Sequence, residues 1–322
     1  MNPYAAIVLA YLILSSAICL RSSQKGKTVQ SLFLAKRQLT PPLLIPLLFA
    51  GMVGGTTITS AAATGYSDGI AGVSHILGMS LGCWLFLWFV AKPYDILVKK
   101  KEIYNVPQAF ECIFDEKVKN LMIFVIALTN CMILSTVPTS VGALLSPILG
   151  IDFPVMVWIV WAIWLFMTLA GGLKGIAAMN IVHMAIMLVG LFCVMAGGLS
   201  LAGGLGGLKN ALPESYFRLG SLSPLSVLAM IAGAAIAQPT NTVISSAIFS
   251  GSSYKSAVKS IKISSLLLIP FGVLVTLTGM CARAVLPGLA ENIALSTLAS
   301  GIGPIFAVLV SMAICAATIS TA

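Results

Sequence analysis

Residues 41–67 run without a single charged side chain, yet the middle of that run is a poor helix. It opens Pro-Pro-Leu-Leu-Ile-Pro-Leu-Leu-Phe-Ala-Gly-Met-Val and then reads Gly-Gly-Thr-Thr-Ile-Thr-Ser over Gly54–Ser60. The length suits the roughly 30 Å hydrocarbon core of a bilayer. Inside a helix, each glycine costs about 1 kcal/mol relative to alanine. At membrane depth, non-helical backbone survives only where it faces protein or a wet cavity. The run therefore predicts a broken membrane helix held inside a bundle. Free carbonyls and hydroxyls at such a break are suited to holding a small cation.

The rest of the chain has the same character. Of its 322 residues, 59% are hydrophobic and 8% are charged, against roughly 45–50% and about 25% in soluble domains. The mean hydropathy of +1.04 places it among all-α integral membrane proteins. The apolar runs do not alternate, which argues against a membrane barrel. About nine spans are predicted, at roughly 4–20, 42–66, 72–91, 120–146, 153–170, 175–202, 224–249, 263–286 and 296–322.

The net charge of +9 does not point to nucleic acid. Fifteen of the eighteen lysines and arginines fall in the segments 21–40, 92–119, 171–176 and 250–262, all on one side of the predicted topology. The other three are Lys209, Arg218 and Arg283, on the opposite side. This asymmetry makes the basic loops cytoplasmic and puts the N-terminus outside. The apolar N-terminal run has its charges after it, not before, so it is predicted to be a retained helix and not a signal peptide. The expected location is a multi-pass protein in the cell membrane. The seven cysteines have no metal or disulfide spacing and are expected to pack as small hydrophobes. With two histidines and no acidic pair, nucleophile elbow or phosphate loop, no enzyme is expected and no cofactor is implied.

A second interruption lies at Gln238-Pro239-Thr-Asn241, inside the span 224–249. Proline removes a backbone donor and clashes with the preceding turn. Two interrupted spans at corresponding places in two halves point to a transporter binding site between them.

Several motifs, in order, resemble the sodium:solute symporter family. They are Ser31-Leu-Phe-Leu-Ala-Lys-Arg37, the broken stretch at Gly54–Ser60, Gly171-Gly172-Leu173-Lys174-Gly175 with Asn180 and His183, Gln238-Pro239 followed by Ala247 to Ala257, and Ala316-Ala317-Thr318-Ile319-Ser320-Thr321. The resemblance implies a LeuT-type fold of two inverted five-helix repeats after one extra helix. The chain then divides into an extra helix and loop (1–40), a first repeat (41–202) and a partial second repeat (203–322), all within a single polytopic membrane domain. Ten or more core helices are usual in the family, so a chain truncated at its C-terminus is expected.

The resemblance also implies a Na⁺ site made of the carbonyls of Gly55, Ile58 and Ala317 and the hydroxyls of Ser320 and Thr321. Neutral oxygens suit a hard cation. Polarity at membrane depth, together with the resemblance, nominates Thr57, Ser60, Ala61, Asn130, Thr136, Ser140, Gln238 and Asn241 for the solute. The family often carries an acidic residue where this chain has Asn180, and a glutamine where it has His183. The implied activity is Na⁺-coupled symport of a small polar organic solute by alternating access, with Na⁺ as the coupling ion and the bilayer as environment. A non-transporting sensor or inactive remnant on the same scaffold is the alternative.

Overall fold

The computed structural model describes residues 3–23, 32, 34–101, 103–219 and 222–321, with side chains for all of these except 133, 136, 144, 147 and 148. Within them the protein is helical, with one isolated bridge and no strands. The helices are α1 (Pro3–Ser22), α2 (Pro41–Met52), α3 (Gly55–Asp68), α4 (Ser74–Phe89), α5 (Ala91–Lys101), α6 (Val106–Ile113) and α7 (Glu116–Leu149). They continue with α8 (Phe153–Leu201), α9 (Gly204–Ala211), α10 (Pro224–Ala237), α11 (Thr242–Ser250), α12 (Tyr254–Val285), α13 (Ala294–Ile302) and α14 (Pro304–Thr321).

Seven stretches among the described residues are long and apolar enough to cross a membrane, and α2 adds a short apolar helix. Their outer faces carry exposed Phe124, Leu128, Trp158, Phe166, Phe192 and Leu225, as lipid contact requires. The two predicted spans 153–170 and 175–202 are the two arms of the 49-residue stretch α8, parted by non-helical backbone at Gly172. Straight, it would be about 74 Å long, more than twice the roughly 30 Å hydrocarbon core. It bends at Gly172, whose φ of 58° and ψ of −174° are open only to glycine.

Two predicted boundaries move. The span expected at 263–286 begins at Tyr254, where the Ser253 hydroxyl caps the helix by accepting from the Ser256 N–H at 3.1 Å. The lysines placed in a loop at 250–262 therefore stand on α12. The span expected at 296–322 splits at Gly303, and α14 starts on Pro304, the N-terminal position that proline tolerates best.

α12 lies against α3 closely enough that side chains are excluded. A Cβ on Gly279 would stand 2.0 Å from the Ala62 carbonyl oxygen, and one on Gly65 would stand 2.4 Å from that of Thr276. Gly279→Ala is expected to lower stability by about 1–3 kcal/mol, the usual cost of overpacking. Thermal denaturation in detergent checks this, and an unchanged midpoint would contradict the close approach.

The chain ties its broken spans at both ends. On the basic side, Leu39 just before α2 pairs with Gly251 just after α11. There Leu39 N–H donates to Ser250 O at 3.2 Å and Ser252 N–H donates to Leu39 O at 2.9 Å. On the other side, Tyr66 at the end of α3 donates to Leu286 O at 2.9 Å and accepts from Leu289 N–H at 2.8 Å. The Tyr216 hydroxyl reaches the Ser67 carbonyl at 2.7 Å.

Candidate functional site

The last hydrogen bond of α2 runs from Val53 N–H to Phe49 O, and the first of α3 from Ile58 N–H to Gly54 O. Between them Val53 (φ −93°, ψ 87°) and Gly54 (φ −77°, ψ 165°) leave helical geometry. An unbroken helix would pair Gly54 N–H with Ala50 O, four residues back. Among the described residues no backbone N–H takes that place. The glycines here serve space more than dihedral freedom. A Cβ on Gly55 would fall 2.2 Å from Thr318 Oγ1, and one on Gly54 would fall 3.3 Å from Thr321 Oγ1. The small residues let α14 lie directly across the break.

From α14, the Ser320 hydroxyl donates to the freed Ala50 carbonyl at 2.8 Å, with Ala317 O at 2.9 Å as its alternative acceptor. Thr321 Oγ1 lies 2.8 Å from Ala317 O and 3.5 Å from Ala50 O. Each hydroxyl has one proton to give and lone pairs to spare. Four neutral oxygens thus converge, two carbonyls and two hydroxyls, between helices distant in sequence. Rotating the two hydroxyl protons outward turns the cluster into an all-acceptor cage, which is what a hard monovalent cation needs.

Ala317, Ser320 and Thr321 therefore share one cluster. Gly55 and Ile58 stand elsewhere. The Gly55 carbonyl accepts the Thr59 hydroxyl at 3.1 Å in the first turn of α3, and Ile58 is buried inside that helix. The carbonyl that meets the hydroxyl pair belongs to Ala50, on the other side of the break.

Two hollows flank the first turn of α3 and share Thr56 and Thr57. The larger, about 450 Å³, is lined by Thr57, Ser140 on α7, Asn292, Ser296 and Thr318 among others. The smaller, about 260 Å³, is lined by Ser60, Ala61, Thr64, His75 and Met230 with that same pair. The structure thus brings Thr57, Ser60, Ala61 and Ser140 around one element. Asn130 is exposed on α7, about 15 Å along the helix axis from Ser140. The side chain of Thr136 lies outside the described residues.

Gln238 and Asn241 form their own unit at the second break. The Asn241 amide donates to Gln238 Oε1 at 3.1 Å, and its Oδ1 caps α11 by accepting from Val243 N–H at 2.8 Å. Gln238 is buried, packed where a Cβ on Gly82 would stand 2.6 Å from its own Cβ. Neither residue lines the two hollows.

Sequence reasoning passed over Ala50, Thr56, Thr318, His75, Asn292 and Ser296. Asn292 and Ser296, four residues apart at the start of α13, carried a signal as polar neighbours on one helical face. Asn180 and His183 on α8 are fully buried, and their side chains have no hydrogen-bond partner among the described residues. The His183 ring lies 5.8 Å from that of Tyr11 on α1.

A family model described as the sodium:solute symporter family matches residues 32–322. Solute carrier family 5 member 4 of Rattus norvegicus is 29% identical over 196 residues, which are 59% of this chain and 28% of that protein. The high-affinity proline transporter PutP of Bacillus subtilis (strain 168) is 25% identical over 207 residues, 62% of this chain and 44% of that protein. The chain spans less than half the length of these curated relatives. A solved structure of a Na⁺-coupled sialic acid symporter in a substrate-bound, outward-open state has the same fold, with a TM-score of 0.85 at 18% identity. The match covers 99% of this chain and 71% of that one.

Proposed function

This chain belongs to the sodium:solute symporter family, and from that premise we propose that it takes part in Na⁺-coupled symport of a small polar solute by alternating access. Its fold is the LeuT type, and its relatives are transporters, not enzymes. The observation that carries the proposal is the oxygen cluster of Ala50, Ala317, Ser320 and Thr321 across the broken helix. The Na⁺ ligands in this reading are the carbonyls of Ala50 and Ala317 and the hydroxyls of Ser320 and Thr321. The fifth is the carbonyl of Val53, the residue at which α2 ends. No feature of the described site favours the non-transporting alternative.

The solute occupies the larger hollow, which reaches from Thr56 and Thr57 at the break to Asn292 and Ser296. Those last two stand on the side opposite the basic loops. With the basic loops cytoplasmic and the N-terminus outside, the hollow faces the exterior of a cell membrane. The threonine and serine hydroxyls with the Asn292 amide suit a solute rich in hydroxyl, amide or carboxylate groups. No acidic side chain lines either hollow among the described residues, so an uncharged, zwitterionic or anionic solute is favoured over a simple cation. The division into an extra helix, a first repeat over 41–202 and a partial second repeat over 203–322 belongs to the same proposal.

Uptake of a panel of labelled sugars, amino acids and organic acids into proteoliposomes tests the function. At least one solute is expected to accumulate under an inward Na⁺ gradient and not under K⁺. Absence of Na⁺ dependence across the panel would remove the proposal.

A further inference from the structure

The lysines that moved from a predicted loop onto α12 create a feature unrelated to the transport path. Lys255, Lys259 and Lys262 project from the first turns of α12 and are exposed. With Tyr254, Val258 and Ile263 they line a hollow of about 450 Å³. Among the described residues, none of the three lysines pairs with a carboxylate. The neighbouring acid, Asp95, is held by Lys92 at 3.5 Å and Lys99 at 2.9 Å.

Aromatic groups border this positive surface. Lys262 Nζ stands 5.6 Å from the ring centre of Trp84 on α4, and Lys92 Nζ stands 5.0 Å from that of Tyr254. Trp84 and Trp88 are adjacent, with ring centres 6.4 Å apart. Trp88 and Phe89 are 64% and 71% exposed at the end of α4. Exposed aromatics beside lysines at the end of an apolar helix mark the headgroup level of a bilayer. The lysine stems run along apolar surface while the ammonium groups reach outward.

We propose that this cleft binds the phosphate group of an anionic phospholipid, with Lys255, Lys259 and Lys262 as its donors. A zwitterionic lipid fits less well. Its choline cation would meet three ammonium groups and no free carboxylate. The apolar floor of Val258 and Ile263 favours a glycerolipid over a free anion. The bound lipid would bear on α12, the helix whose far half clamps α3 through Gly279.

The test uses tryptophan quenching in the reconstituted protein. Vesicles of phosphatidylcholine carry either brominated phosphatidylglycerol or brominated phosphatidylcholine at equal mole fraction. We expect brominated phosphatidylglycerol to associate about threefold to tenfold more strongly, the scale set by a few lysines at an anionic surface. Replacing Lys255, Lys259 and Lys262 by glutamine is expected to bring that ratio close to one, whereas replacing all three by arginine preserves it. If the triple glutamine variant does not fold, the Lys255→Gln, Lys259→Gln pair must still lower the ratio. A ratio near one in the parent protein, or an unchanged ratio in the glutamine variants, would overturn the proposal. So would loss of the preference to inorganic phosphate but not to chloride at equal ionic strength, which would assign the site to a free anion.

Discussion

Replacing Ser320 and Thr321 together by alanine should raise the Na⁺ concentration for half-maximal uptake by at least tenfold. A hydrogen bond to a charged group contributes about 1.5–3 kcal/mol, so losing even one such oxygen from a dehydrated cation costs about tenfold and losing both about a hundredfold or more. These hydroxyls also bridge α14 to Ala50, so the double variant loses some stability for purely structural reasons. Two readouts separate the roles. In the parent protein, Na⁺ in place of K⁺ should raise the thermal midpoint, because a ligand that binds only the folded state stabilises it. In the double variant that Na⁺-dependent increment should vanish, whatever the baseline. Thr321→Ser keeps the hydroxyl and should keep both the Na⁺ affinity and the increment. Unchanged Na⁺ dependence in the alanine variant would exclude these side chains as ligands.

The second large effect is expected at Gly55. A Cβ there would fall 2.2 Å from Thr318 Oγ1 and 3.2 Å from a methyl of Ile314. Gly55→Ala must displace the Thr318 hydroxyl from its bond to Ile314 O and crowd Ile314, straining the contact between α14 and the break, and overpacking of this kind costs about 1–3 kcal/mol. Its effect on uptake should be larger than its effect on stability, because any shift of α14 that relieves the crowding separates Ser320 from Ala50. We expect at least a tenfold fall in Na⁺-driven uptake with the protein still folded and inserted. The severe clash is with the Thr318 oxygen, so Gly55→Ala combined with Thr318→Ala should recover most of the lost thermal stability. A double variant no more stable than Gly55→Ala alone would place the strain elsewhere.

Much of the architecture was legible because a bilayer leaves few choices. Long uncharged runs had to be helices, and the Gly-Gly-Thr-Thr-Ile run had to be a break facing protein. The partnership of that break with Ser320 and Thr321 was also anticipated, from the ordered motifs. The resemblance implies the carbonyls of Gly55 and Ile58, and the structure adds that of Ala50, which the hydroxyl pair meets. Helical hydrogen bonds point backwards. Interrupting the helix at Gly54 frees the carbonyl four residues earlier, which is Ala50. That rule could have been applied to the bare sequence.

Other features were not legible. Nothing local distinguishes Asn130 from Ser140 on α7. One is exposed and the other lines the hollow because α7 runs 34 residues past neighbours that cover it unevenly. Gln238 and Asn241 are nominated for the solute because they are polar at depth. In the structure they bond to each other and cap the start of α11, which a proline-broken helix needs for its own unpaired groups.

The pairing of Leu39 with Gly251 has a mechanical consequence. It staples the root of one half-helix to the root of the other, main chain to main chain, with no side chain to mutate away. α2 and α11 cannot tilt apart on the basic side without stretching that seam. Under the proposed alternating access, the roots of the two interrupted spans are therefore expected to move together on that side.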